Sequence, residues 1–138
     1  MKVPSVMEYL DLVNSVAEEI CKRLQIDEFT HDTLTNSVVE ACTNAMEHGN
    51  RLDAKKSVLL RFVYDESRID IYVTDEGDGF DLEAIESPVT PENLLRERGR
   101  GIFILKSFMD EVHFDIKPSV GTTVHLVKNL GQSAEAAN

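Results

Sequence analysis

The sequence predicts an α+β fold: a two-layer sandwich, with helices packed on one face of a mixed β-sheet. Three observations predict it. Apolar residues recur at helical spacing from Val6 to Leu24 and again in the stretch ending near Gly49. Strict alternation of apolar and polar residues follows, clearest at Ile69, Ile71 and Val73. The chain then orders its elements as helices, hairpin, helix, hairpin, which segregates helices from strands as a sandwich requires.

Each element has a local reason. Met1 to Pro4 reads as a short edge strand. Ser5 starts a first helix, and Val6, Leu10, Val13, Ala17 and Ile20 form its apolar side. Thr30 is the expected cap of a second helix, and Gly49 suits its C-terminal end. Ser57 to Tyr64 and Arg68 to Thr74 read as strands joined by the turn Asp65-Glu66-Ser67. Asp75 to Asp81 is a glycine-rich acidic loop. Leu82 to Arg98 carries Pro88 and Pro91 without periodicity and reads as a flexible loop, with a short turn at Pro91 to Leu95. A third helix is expected after Gly101. Val112 to Ile116 and Thr123 to Val127 read as the last strands, turning at Pro118 to Gly121. Residues 1–130 are expected to form a single domain and residues 131–138 a disordered tail.

Bulk properties narrow the function. A chain of 138 residues is one domain with room for a single core. No apolar run reaches the roughly 20 residues needed to cross a membrane, and no signal peptide is read. A net charge of −11 argues against direct nucleic acid binding and favours basic protein partners. Cys21 and Cys42 both fall in helical stretches and read as small buried hydrophobes in a reducing cytoplasm. An acidic chain that binds polyphosphate must do so locally, with backbone N–H groups, a divalent cation and placed arginines.

Such local features are present. Glu40, Asn44 and His48 stand four residues apart in SVVEACTNAMEHGN, one polar stripe on an otherwise apolar helix. Taken alone, a solvated helix face explains them best. Asp75-Glu76-Gly77-Asp78-Gly79-Phe80 follows a strand, and its glycines let backbone approach a flat ligand. A carboxylate at a strand end can accept hydrogen bonds from an exocyclic amine such as that of adenine. Arg98-Gly99-Arg100-Gly101 opens the third helix as a cationic patch, with glycines that expose N–H groups to anions. Neither the P-loop nor the dinucleotide fingerprint is matched. Gly121-Thr122-Thr123 enters the last strand.

Together, EACTNAMEHGN, TDEGDGF, GRGIFILKSFMDEV and GTTV resemble, in order, the four ATP-binding boxes of the GHKL fold shared by gyrase, histidine kinases and MutL. The closest resemblance is to the bacterial anti-sigma factor serine/threonine kinases, over roughly residues 5 to 128. That resemblance implies ATP and Mg²⁺ as ligands. It implies Asn44 as the metal ligand and Glu40 as the general base. It implies Asp75, Gly77, Gly79, Thr122 and Thr123 around the adenine, and Gly99 and Gly101 at the phosphates. His48 completes the box pattern, and Leu82 to Arg98 is the expected lid. From charge, Arg98 or Arg100 is expected to reach the terminal phosphate. The resemblance further implies an anti-sigma-factor antagonist as substrate, a sigma factor as bound partner, and a homodimer. A non-catalytic, nucleotide-dependent binding module is the alternative. A sensor histidine kinase is disfavoured, because residues 1–24 carry one helix and no phospho-accepting histidine.

Overall fold

The computed structural model describes residues 1–79 and 97–131, with the side chains of Glu97 and Arg98 excepted. The expected lid at Leu82 to Arg98 and the expected disordered tail lie outside the described residues, apart from the helical backbone of residues 97 and 98 and from Gly131.

The chain begins with β1 (Lys2–Pro4) and a short 3₁₀ turn at Met7–Tyr9. Helix α1 (Leu10–Arg23) follows, later than Ser5 predicts. Ser5 does not cap it, because its hydroxyl donates to the Lys56 carbonyl at 2.9 Å and tethers the chain to the sheet. Val13, Ala17, Ile20 and Cys21 form the buried stripe of α1. The helix ends in a Schellman-type closure. Ile26 N–H donates to Cys21 at 3.2 Å and Gln25 N–H to Lys22 at 3.1 Å. Gln25 takes the left-handed position with φ 54°.

Helix α2 (Glu28–Asn44) starts two residues before the predicted cap. Asp27 caps it, accepting from the Thr30 amide at 3.0 Å, so Thr30 supplies the capped N–H rather than the cap. That amide holds the Asp27 carboxyl below its ordinary range. After Asn44 the helix widens into a π turn, Ala45–Gly49, closed by Asn50 N–H on the Ala45 carbonyl at 2.8 Å.

Strands β2 (Ser57–Tyr64) and β3 (Arg68–Thr74) have the predicted bounds. Helix α3 spans Glu97–Phe108, and β4 (Glu111–Lys117) and β5 (Gly121–Asn129) close the fold. The sheet order is β1-β2-β3-β5-β4, and every pair is antiparallel, not mixed as the sequence suggested. The α3 crossover returns β4 parallel to β3, but β5 folds back as a hairpin and inserts between them. The core lies between the helices and one sheet face. Val58, Leu60, Ile71, Val73 and Leu126 of the sheet meet Val13, Leu34, Val38, Met46 and Leu105 of the helices. Cys21 and Cys42 are free thiols inside it, as the sequence predicted. No helix among the described residues is long and apolar enough to cross a membrane.

Candidate active site

The site forms where α2 meets α3 over the C-terminal end of β3. One cavity of about 180 Å³ is lined by Glu40, Thr43, Asn44 and Glu47 of the second helical stretch and by Arg100, Gly101 and Ile104 of α3. Asn44 is only 6% exposed, yet it lines the cavity. Gly101 sets how closely the helices approach. A β-carbon there would overlap the Glu40 carboxylate and lie 2.9 Å from Asn44 Nδ2.

Of the predicted stripe, Glu40 and Asn44 share this cavity and His48 does not line it. The π turn is the reason. Extra residues per turn between Asn44 and His48 rotate the histidine off the α-helical register. Thr43 and Glu47 were missed, although a signal existed. They stand three and seven residues after Glu40, on the same helical face.

A second cleft adjoins the first and shares Asn44. Ala41, Ala45, Asp75, Ile102, Leu105, Phe114 and Val124 complete its lining. Its volume is about 10 Å³, room for one water, so a purine requires it to widen. Asp75 lies at the end of β3 and is 5% exposed. Its Oδ1 accepts from Gly77 N–H at 2.8 Å and Thr122 N–H at 3.2 Å. Two backbone donors on one oxygen fix the plane of the carboxylate. Beside it, the Thr122 hydroxyl is buried with no hydrogen-bond partner, a polar atom that a bound ligand would satisfy.

Gly77 and Gly49 interlock under this loop. A β-carbon on Gly77 would strike the Gly49 carbonyl, and one on Gly49 would strike the Asp75 carboxylate. Gly79 turns the chain with φ 93°, and Ile116 occupies the space a side chain would need, 2.8 Å away.

Thr123 is not brought to the site. It pairs with Thr74 in register, and the two hydroxyls bond at 2.9 Å. Both lie on the sheet face opposite the helices, beside the stacked rings of Tyr72 and His125. Gly99 is buried, and both glycines sit inside α3, not ahead of it as the sequence suggested. Arg100 is exposed at the cavity, whereas the Arg98 side chain lies outside the described residues.

No group of three or more His, Cys, Asp or Glu among the described residues could hold a metal. The Asn44 amide oxygen and the Glu40 carboxylate at the cavity are hard oxygen donors of the kind a divalent cation takes.

Comparison with known proteins agrees with this fold. Residues 3–128 match the family described as the histidine kinase-like ATPase domain. The chain is 33% identical to the serine-protein kinase RsbW of Bacillus subtilis, covering 94% of this chain and 84% of that one. It is 34% identical to the anti-sigma F factor of Bacillus licheniformis, covering 82% and 77%. Among solved structures, the catalytic domain of the histidine kinase ThkA superposes with a TM-score of 0.59 at 11% identity, covering 94% of this chain and 95% of that one. The blue-light activated histidine kinase of Erythrobacter litoralis gives 0.60 at 20% identity, and this chain spans 43% of its length. The chain belongs to the histidine kinase-like ATPase family, on its branch of bacterial anti-sigma serine-protein kinases. It is a protein serine/threonine kinase.

Proposed function

We propose that this kinase binds Mg-ATP across the two joined cavities and phosphorylates a serine or threonine of an anti-sigma-factor antagonist. It holds a sigma factor as its other partner, so phosphorylation of the antagonist leaves that factor sequestered. The observation that carries this reading is the meeting of Glu40, Asn44 and Arg100 in one cavity beside Gly101. The names of the two bacterial relatives support the partner assignment.

Phosphoryl transfer is mostly positioning and charge neutralisation. Bound Mg-ATP supplies the phosphoryl group and most of the cationic charge. Asn44 is the protein ligand to the metal. Glu40 accepts the proton of the incoming hydroxyl, whose oxygen becomes the ester oxygen of the product as the β–γ phosphoanhydride bond of ATP breaks and ADP leaves. Arg100 offsets charge on the terminal phosphate, and Arg98 is the second candidate. Asp75 accepts from the adenine amine, with the Thr122 hydroxyl beside it. The small cleft at Asp75 opens when the base enters. Gly99 and Gly101 let α3 approach the phosphates closely. We place the protein in the cytoplasm, as a homodimer, with residues 1–130 as its kinase domain.

Incubation with labelled ATP, Mg²⁺ and an anti-sigma-factor antagonist tests this. Acid-stable phosphoserine or phosphothreonine on the antagonist is expected. Acid-labile phosphohistidine would contradict the reading, and nucleotide binding without transfer to any partner would favour a binding module.

A further inference from the structure

We propose that Asn50 is a positioning residue of the nucleotide site, clamping the Asp75–Gly77 loop in the orientation that reads the base. The inference rests on the adenine role given above to Asp75.

Asn50 is 1% exposed and its amide is fully engaged. Nδ2 donates to Ser5 Oγ at 2.7 Å and to the Ser57 carbonyl at 3.0 Å. Oδ1 accepts from Glu76 N–H at 2.7 Å. The amide orientation follows from chemistry, since the Glu76 N–H can only donate and the Ser57 carbonyl can only accept. One side chain thus joins the start of the chain, the end of the α2 extension, the first residue of β2 and the loop after β3. Glu76 is held from a second side, because its Oε2 accepts from Ser57 N–H at 2.7 Å. Asp75 precedes Glu76 directly, so fixing the Glu76 amide fixes the peptide plane from which the Asp75 carboxylate projects.

The backbone on either side of Asn50 supports the assignment. Its own N–H closes the π turn on Ala45 at 2.8 Å, and Leu52 N–H reaches back to Met46 at 2.7 Å. Arg51 and Leu52 then adopt φ 54° and φ 57° in succession, although neither is glycine. Such conformations persist only where the surroundings over-determine them. Gly49, one residue earlier, packs against the Asp75 carboxylate and Gly77. The turn that carries Asn50 and the loop that carries Asp75 are therefore one interlocked unit, anchored to the N-terminal edge strand through Ser5.

A merely structural amide and a positioning amide differ in what they control. Loss of the first lowers stability. Loss of the second also weakens discrimination between adenine and guanine, because that choice depends on where Asp75 points. The test compares dissociation constants for ATP and GTP, with thermal melting, in the full chain and in Asn50→Ala. The wild type is expected to prefer ATP. In Asn50→Ala the ATP/GTP preference is expected to fall about 10-fold, the size of one misplaced hydrogen bond. Asn50→Gln keeps both the acceptor and the donors of the amide, on a side chain one methylene longer, and is expected to recover part of the preference. If Asn50→Ala folds too weakly to assay, Ser5→Ala, which removes one partner of the amide, is expected to lower the preference about 2-fold. A variant that melts earlier yet keeps the wild-type preference overturns the clamp alone. A wild type indifferent to the base overturns the role of Asp75 and the clamp with it.

Discussion

Gly101 of α3 stands against the Glu40 carboxylate of α2, at a distance that no β-carbon would permit. A β-carbon there would also lie 2.9 Å from Asn44 Nδ2. The two helices therefore make their close approach at the residues assigned to proton and metal. Packing and chemistry share one contact.

Gly101→Ala should disturb that contact first. The new methyl must displace Glu40 or separate the helices, an overpacking cost of about 1–3 kcal/mol. Thermal melting should register that loss. Phosphoryl transfer should fall by about 100-fold, because a small misplacement of reacting groups is costly. Wild-type rates in Gly101→Ala would show that the contact is incidental.

Asn44→Ala should act on nucleotide binding. Without the amide the cavity loses the neutral oxygen assigned to the cation, so Mg-dependent ATP affinity should fall about 10-fold or more. Binding measured with and without EDTA isolates this term. A variant whose binding responds to Mg²⁺ as the wild type does would remove Asn44 from the metal site.

Asp70 should give the fold an acid-sensitive increment of stability. Its carboxyl is held below the ordinary range, first by the Arg68 guanidinium at 2.9 Å and also by His125 at 2.7 Å, against the opposing effect of burial. The folded state thus binds this proton less readily than the unfolded chain. The stabilisation is present above the unfolded value of about 3.9 and is lost as pH falls through the lower folded value. Asp70→Asn should melt earlier at neutral pH, and the gap to the wild type should close on acidification. A gap independent of pH would contradict the linkage.

Both thiols should be inert in the folded protein. Burial pushes Cys42 up to about 12, and burial with the nearby Glu18 charge pushes Cys21 up to about 11. At pH 8 the thiolate fraction is then on the order of 10⁻³ or less. A thiol reagent should label neither until denaturant is added, and rapid labelling of the native chain would show that the core opens.

Much of this was legible in the sequence, and the gaps have physical causes. β2 and β3 were readable to the residue, because β3 alternates with one face buried and Asp65-Glu66-Ser67 marks the turn between the two strands. Glu40 and Asn44 were readable because four-residue spacing on an α-helix is local geometry. The displacement of His48 was not, since the π turn is closed by the Asn50 N–H on Ala45, and Asn50 is itself tied to Ser5 and Glu76 far away in the chain. The start of α3 was misjudged because Gly99 and Gly101 read as a loop, whereas Gly101 is needed inside the helix for contact with Glu40. Thr122 and Thr123 could not be told apart without the register Thr74↔Thr123, which sends them to opposite faces.

The central claim is that Glu40 acts on the proton and not on the nucleotide. Glu40→Gln keeps the shape of the cavity and removes the base. ATP affinity and transfer to the antagonist should be measured on the same preparation. The account predicts affinity within about 2-fold of the wild type and transfer reduced by about 10²–10⁴-fold. Transfer at the wild-type rate with Glu40→Gln would contradict it.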